Sequence, residues 1–208
     1  MCVMKITQQD IPNAFAPLEL DLLHKGAAMT IDPAHPLLLT RANGRPVLGM
    51  RGMEVREGSG QKGFFEVRCI SGCEYGITIG MATHDVDVTK ELGCGHDGFG
   101  WWSVGDDSGH LIINHSLRRV SPDEGDDFPA YNHGYVDTPG FTVGDVIGLM
   151  LDCSGTPTLL FFVNGAQVQQ IIMTTQVQGK MLFPAFALSG GGEIDISPNP
   201  DLPADAAV

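Results

Sequence analysis

The sequence predicts an all-β protein, an antiparallel two-sheet β-sandwich, and three observations lead there. Short apolar stretches with period-2 alternation recur between residues 37 and 196, and no long stretch carries a helical period. The 27 glycines and 13 prolines supply turn residues between them. Two Asn-Gly pairs, Asn43-Gly44 and Asn164-Gly165, stand between strand-like runs, and Asn-Gly readily takes the positive φ angles of a two-residue hairpin turn. With 208 residues, 43% of them hydrophobic, the chain can bury a core without staples and is too apolar for disorder.

Taken in order, residues 1–29 read as a partly ordered N-terminal extension, punctuated by Pro12 and Pro17. Within it, residues 18–23 (LELDLL) fit either a short strand or one helical turn. A single domain is expected over 30–197, with no internal repeat and no linker. It begins with the turn-rich stretch 31–36 (IDPAHP), followed by strands over 37–41 and 45–50 that the first Asn-Gly pair should join as a hairpin. In 63–70 (GFFEVRCI), Phe65, Val67 and Cys69 share one face, and Glu66 and Arg68 the other, as in a half-buried strand. Residues 76–82 (GITIGMA) repeat the pattern with Ile77, Ile79 and Met81. Residues 145–152 (DVIGLMLD) are apolar on both faces, as a central strand requires. Strands over 158–163 and 166–172 flank the second Asn-Gly pair, and strands over 182–188 and 192–196 complete the set. Residues 198–208, rich in Pro and Ala, read as a C-terminal tail.

Charge and cysteine usage exclude several functions. The formal net charge is -13, from 12 basic and 25 acidic residues, whereas nucleic-acid and anionic-membrane binding call for clustered Lys and Arg. No apolar run reaches the length of a membrane span, and the first residues, MCVMKITQQD, lack the apolar core of a signal peptide. The five cysteines form no pairing pattern, so free thiols in the cytoplasm or nucleus are expected, and secretion is not. Cys69, Cys73, Cys94 and His96 do not form the tight ligand pairs of structural zinc, and Cys69 shares its face with Phe65 and Val67 as a core residue. The acidic stretch 121–127 (SPDEGDD) lacks EF-hand spacing. No metal and no cofactor is expected.

Six segments, in order, resemble the SPRY (B30.2-like) domain family: GFFEV at 63–67, GITIGMAT at 76–83, the aromatic strand before Gly105-Asp106-Asp107-Ser108-Gly109, FTVGDVIGLMLD at 141–152, LLFFVNG at 159–165 and LFPAFAL at 182–188. The stretches NGRPVLG at 43–49 and IGMATHDVDVTK at 79–90 are similar to small standalone members. The resemblance implies a concanavalin-like sandwich, no general enzymatic activity, and a protein-interaction role in which loops at one end recognise a protein or peptide partner. No RING, B-box or ligase-adaptor region accompanies it. Carbohydrate binding or glucanase activity is the alternative on the same architecture. The feature behind that alternative is Glu193-Ile194-Asp195-Ile196, similar to the Glu-x-Asp-x-x-Glu strand of retaining glycosidases, but Ser197 and Pro198 follow and the second Glu is missing. The two carboxylates are then expected on the solvent face of an edge strand.

The candidate partner-binding residues are Arg41, Tyr75, Trp101 and Tyr131, of the types that anchor interfaces. Trp101 and Trp102 are adjacent on one strand, so their side chains point to opposite faces. Counted from the Gly-Asp-Asp turn, the inward positions fall on Trp102 and Val104, which puts Trp101 outside. Counted from Phe99-Gly100, they fall on Phe99 and Trp101. The first count is the one that makes Trp101 a candidate.

Overall fold

The computed structural model describes residues 13–25, 30–40, 45–72, 77–89, 92, 98–103, 108–114, 133–173, 177–188 and 191–203. They form fifteen strands: β1 (Leu20–Lys25), β2 (Thr30–Asp32), β3 (His35–Thr40), β4 (Arg45–Gly49), β5 (Met53–Glu54), β6 (Lys62–Ser71), β7 (Ile77–Ala82), β8 (Gly98–Ser103), β9 (Ser108–Asn114), β10 (His133–Pro139), β11 (Val146–Asp152), β12 (Thr158–Val163), β13 (Ala166–Ile172), β14 (Met181–Leu188) and β15 (Glu193–Ile196). Among the described residues there is no α-helix.

Two antiparallel sheets result. Sheet I runs β1-β4-β14-β7-β8-β9-β10, with β5 added on β14, and sheet II runs β13-β12-β11-β6-β15-β3-β2. Their facing sides hold one core that includes Leu39, Phe65, Val67, Ile77, Ile79, Leu149, Phe161, Phe186 and Ile194. The alternation expected for β6 and β7 is present, with Phe65, Val67, Cys69, Ile77, Ile79 and Met81 all buried. The strand β11 lies between β12 and β6 and is apolar on both faces. Ile147, Leu149 and Leu151 enter the core, while Met150 joins Phe64, Leu160 and Phe162 in a second cluster, against which Leu202 packs. Lys62 and Asp152 lie opposite each other on β6 and β11, and the buried Lys62 side chain pairs with the partly buried Asp152 carboxylate at 2.9 Å.

The second Asn-Gly pair closes the expected hairpin. Val163 faces Ala166, and Asn164 and Gly165 take φ angles of 50° and 80°. The first does not join its neighbours in this way. Asn43-Gly44 lies outside the described residues, but β3 pairs with β15 and β2 in sheet II, whereas β4 pairs with β1 and β14 in sheet I. β3 and β4 therefore belong to different sheets and do not pair with each other as a hairpin. A second correction concerns β15, which is an interior strand between β6 and β3 and not an edge.

Of the two readings of residues 18–23, the strand is the one formed, since β1 pairs with β4. The segment before it is anchored as well. Phe15 is fully buried and lies over Gly63, where an added Cβ would come within 2.5 Å of the Phe15 ring. The Asn13 amide acts as a surrogate strand for β6: Nδ2 donates to the Phe64 carbonyl (2.8 Å), and Oδ1 accepts from the Phe64 N–H (2.9 Å). Nδ2 also donates to the Pro200 carbonyl (3.2 Å), and the Leu18 N–H donates to the Pro198 carbonyl (2.7 Å). Residues 13–18 and 198–200 thereby clasp each other alongside β6.

Candidate functional site

Strand direction decides which connections meet. In sheet II, Thr40 and Ser71 both lie opposite Glu193, so β3 and β6 end, and β15 begins, at one end of the sandwich. There too Val146 faces Arg68, and the β12–β13 turn projects beside it. In sheet I, Leu188 pairs with Arg45 and Ile77 at the same end. Several connections therefore leave the sandwich at this end.

Among the described residues, its best-defined part is the turn over 142–145. The Thr142 N–H and hydroxyl donate to Asp145 Oδ2 at 2.7 and 3.3 Å, and the Asp145 N–H donates back to the Thr142 carbonyl at 3.1 Å. Asn164 Nδ2 donates to Asp145 Oδ1 at 2.8 Å, and the Val146 N–H donates to Asn164 Oδ1 at 3.0 Å. The Gly144 N–H donates to the Cys69 carbonyl and the Cys69 N–H to the Asp145 carbonyl, each at 2.9 Å, which sews the turn to β6. Partial burial alone would raise the Asp145 pKa, but the hydrogen bonds from Thr142 and Asn164 outweigh it and hold the carboxyl below its ordinary value. At the tip sits Val143, which is 55% exposed. An aliphatic side chain held in water on a braced turn is a feature that the sequence reading missed. The Thr-Val-Gly-Asp pattern signals it, because the flanking Thr and Asp bond each other and leave Val at the tip.

Beneath this end lies an aromatic floor. The Trp101 indole packs edge-on against Phe141 (5.3 Å, 84°) and Phe161 (5.4 Å, 89°) and is fully buried. This corrects the outward placement of Trp101 and removes it from the contact candidates. Phe99, two positions before it on β8, is buried on the same face, and Gly100 lies between them. A Cβ at Gly100 would lie 2.3 Å from the Thr78 methyl group, so the side opposite Phe99 and Trp101 is tight, and those two residues face the core. The count from Phe99-Gly100 is the one the fold follows, while the side chain of Trp102 lies outside the described residues. So do Arg41, Tyr75 and Tyr131. The strand ends flanking the segments of Arg41 and Tyr75, Thr40 and Ser71, stand side by side across Glu193. The segment of Tyr131 is flanked by Asn114 and His133, which pair where Phe99 and Ala82 mark the opposite end.

The two carboxylates of β15 lie on one face of the strand in different surroundings. Glu193 is half-buried and accepts from the Ser71 hydroxyl at 3.4 Å, while Asp195 is exposed opposite Arg68. Retaining glycoside hydrolysis needs a nucleophile and an acid/base carboxylate, and the strand runs on to Ser197 and Pro198 where the second Glu of the Glu-x-Asp-x-x-Glu pattern would stand. Among the described residues, no group of three or more His, Cys, Asp and Glu side chains could hold a metal ion, and no helix is long and apolar enough to cross a membrane.

A two-sheet antiparallel sandwich that gathers its connections at one end, with a braced turn there and an aromatic floor beneath, defines a β-sandwich of the loop-presenting class. The chain belongs to the SPRY domain family, whose match spans residues 62–198. Proteins of this family are in general interaction modules and not enzymes. The fold is similar to that of the TRIM65 PSpry domain, with a TM-score of 0.59 at 16% identity, covering 86% of this chain and 91% of that one. It is similar to the SPRY domain of human HERC1 (TM-score 0.56, 17% identity, 86% and 96% covered). A human SPRY domain matches at TM-score 0.52 and 19% identity, with 84% and 98% covered. No curated protein matches the sequence.

Proposed function

We propose that this chain is a non-enzymatic interaction module that binds a peptide or protein surface with the end of the sandwich carrying the 142–145 turn. The observation that carries the reading is the frame around Asp145, which holds exposed Val143 in a fixed position on a SPRY sandwich. A preorganised apolar contact loses little entropy on binding, and recognition on rigid scaffolds concentrates in such connections. The net charge of -13 favours a basic or neutral partner surface over nucleic acid or an anionic membrane. The expected compartment is the cytoplasm or nucleus, a reading supported by the buried thiol of Cys153 and by five cysteines in no pairing pattern.

Cross-linking with mass spectrometry on the tagged protein from its own cells tests the proposal. Partner cross-links should gather around residues 142–145 and 164–165. Partner cross-links confined to the opposite end would overturn it. So would sugar binding or hydrolysis abolished by Glu193→Gln, which would establish the carbohydrate alternative.

A further inference from the structure

A second surface lies along the side of the sandwich, where β1 ends sheet I and β2 ends sheet II. The sheets part there around a cavity of about 850 Å³, walled by Leu18, Leu20, Ile31, Leu37 and Met50 among others. Pro17, Pro33 and Pro36 also line it and carry no N–H, which favours side-chain docking over addition of a further strand. Beside this hole stands a knob. In β1, Asp21 pairs with Leu48 and Lys25 with the adjacent Val47, so the three residues between them bulge out of the ladder. Leu22 is 57% exposed and itself lines the cavity, while Leu23, which does not line it, is 91% exposed and forms the knob. The bulge is held at its base, where the Leu23 N–H donates to Asp21 Oδ1 at 3.0 Å and the other Asp21 oxygen faces His84 Nε2 at 3.7 Å.

We propose that this side is a self-association surface on which a second copy of the chain docks across a two-fold axis, each leucine bulge entering the cleft of the other copy. An apolar knob next to an apolar hole on one molecule is the arrangement an isologous interface requires, because a single rotation buries both knobs and fills both holes. The charges at the cleft agree with it. Glu19 and Lys25 both line the cavity, so each copy offers one acid and one base to the other across the axis. Two molecules of net charge -13 also repel each other at long range, so association strengthens as added salt screens that repulsion.

Sedimentation equilibrium of the full chain over a wide concentration range, at low and high salt, tests the proposal. The mass should climb from 22.2 kDa towards twice that value, at lower concentration in high salt. Leu23→Asp should raise the dissociation constant at least about tenfold without moving the thermal midpoint, since the side chain it replaces is already in water. Glu19→Lys alone should weaken the dimer, and Glu19→Lys with Lys25→Glu should restore it. A wild-type protein that stays at 22.2 kDa under every condition overturns the proposal and leaves the cleft to a foreign apolar segment. A dimer indifferent to Leu23→Asp overturns it equally.

Discussion

Phe141 and Val143 are two residues apart and belong to different regimes. Phe141 is 1% exposed, packed edge-on against Trp101, whereas Val143 is 55% exposed at the tip of a turn braced by hydrogen bonds. The floor holds its shape by apolar burial, and the rim holds its shape by satisfied polar groups that leave an apolar tip free. The contrast teaches that stability and contact can be varied separately at this end. A substitution in the floor should cost folding, and one at the tip should cost recognition.

Trp101→Ala should have the largest effect. Emptying the floor should destabilise the fold by about 3–5 kcal/mol, the range for buried Trp truncations, read as a shift in denaturant midpoint. A change near zero would mean that the floor is not where stability resides. Gly165→Val comes next. Gly165 has a φ of 80°, and a β-branched residue there is strained by roughly 1–3 kcal/mol. The same denaturation series should rank it below Trp101→Ala.

Asp145→Asn probes the bracing itself, with a loss of about 1 kcal/mol near neutral pH, since these are partly exposed hydrogen bonds to a charged group. Its folded pKa lies below the unfolded value, so the carboxylate adds stability above the ordinary carboxylate range and loses it as pH falls through the folded pKa. The gap between wild type and Asp145→Asn should therefore narrow in acid, and a gap independent of pH would show that the carboxylate charge is not what braces the turn. The smallest effect on stability belongs to Val143→Asp, within about 0.5 kcal/mol. That variant should nevertheless weaken partner capture by about tenfold or more, measured against wild type at equal protein concentration.

Much of this was readable in the sequence because period-2 alternation is a local signal. It marks the buried faces of β6 and β7 and the two-sided burial of β11. The Trp101-Trp102 pair shows where local reading divides, since alternation fixes that the two differ but not which one is inside. Which face is inside is set by packing against distant strands: Trp101 meets Phe141 and Phe161, and Gly100 lies close to Thr78 on the other side. The two Asn-Gly pairs make the same point. Both supply residues suited to a tight turn, but only at Asn164-Gly165 do the flanking strands pair with each other. The strands flanking Asn43-Gly44 pair instead with β14 and β15, which come much later in the chain. The interior position of β15 and the docking of Phe15 on Gly63 are likewise contacts between distant segments, to which no local pattern points.

The interior position of β15 bears on the order in which the protein can be made. During synthesis, at about 5–20 residues per second, β3 and β6 emerge long before the strand that joins them. Until residues 193–196 are available, both strands keep an unpaired edge, and Asn13 and Leu18 wait for the carbonyls of Pro200 and Pro198. A nascent chain of this protein therefore has no route to a closed sheet II while it is still growing through its middle. Sheet II closes as a late event, and a ribosome stalled before residue 193 leaves a product with two exposed strand edges, the kind of surface that chaperones cover and that aggregation exploits.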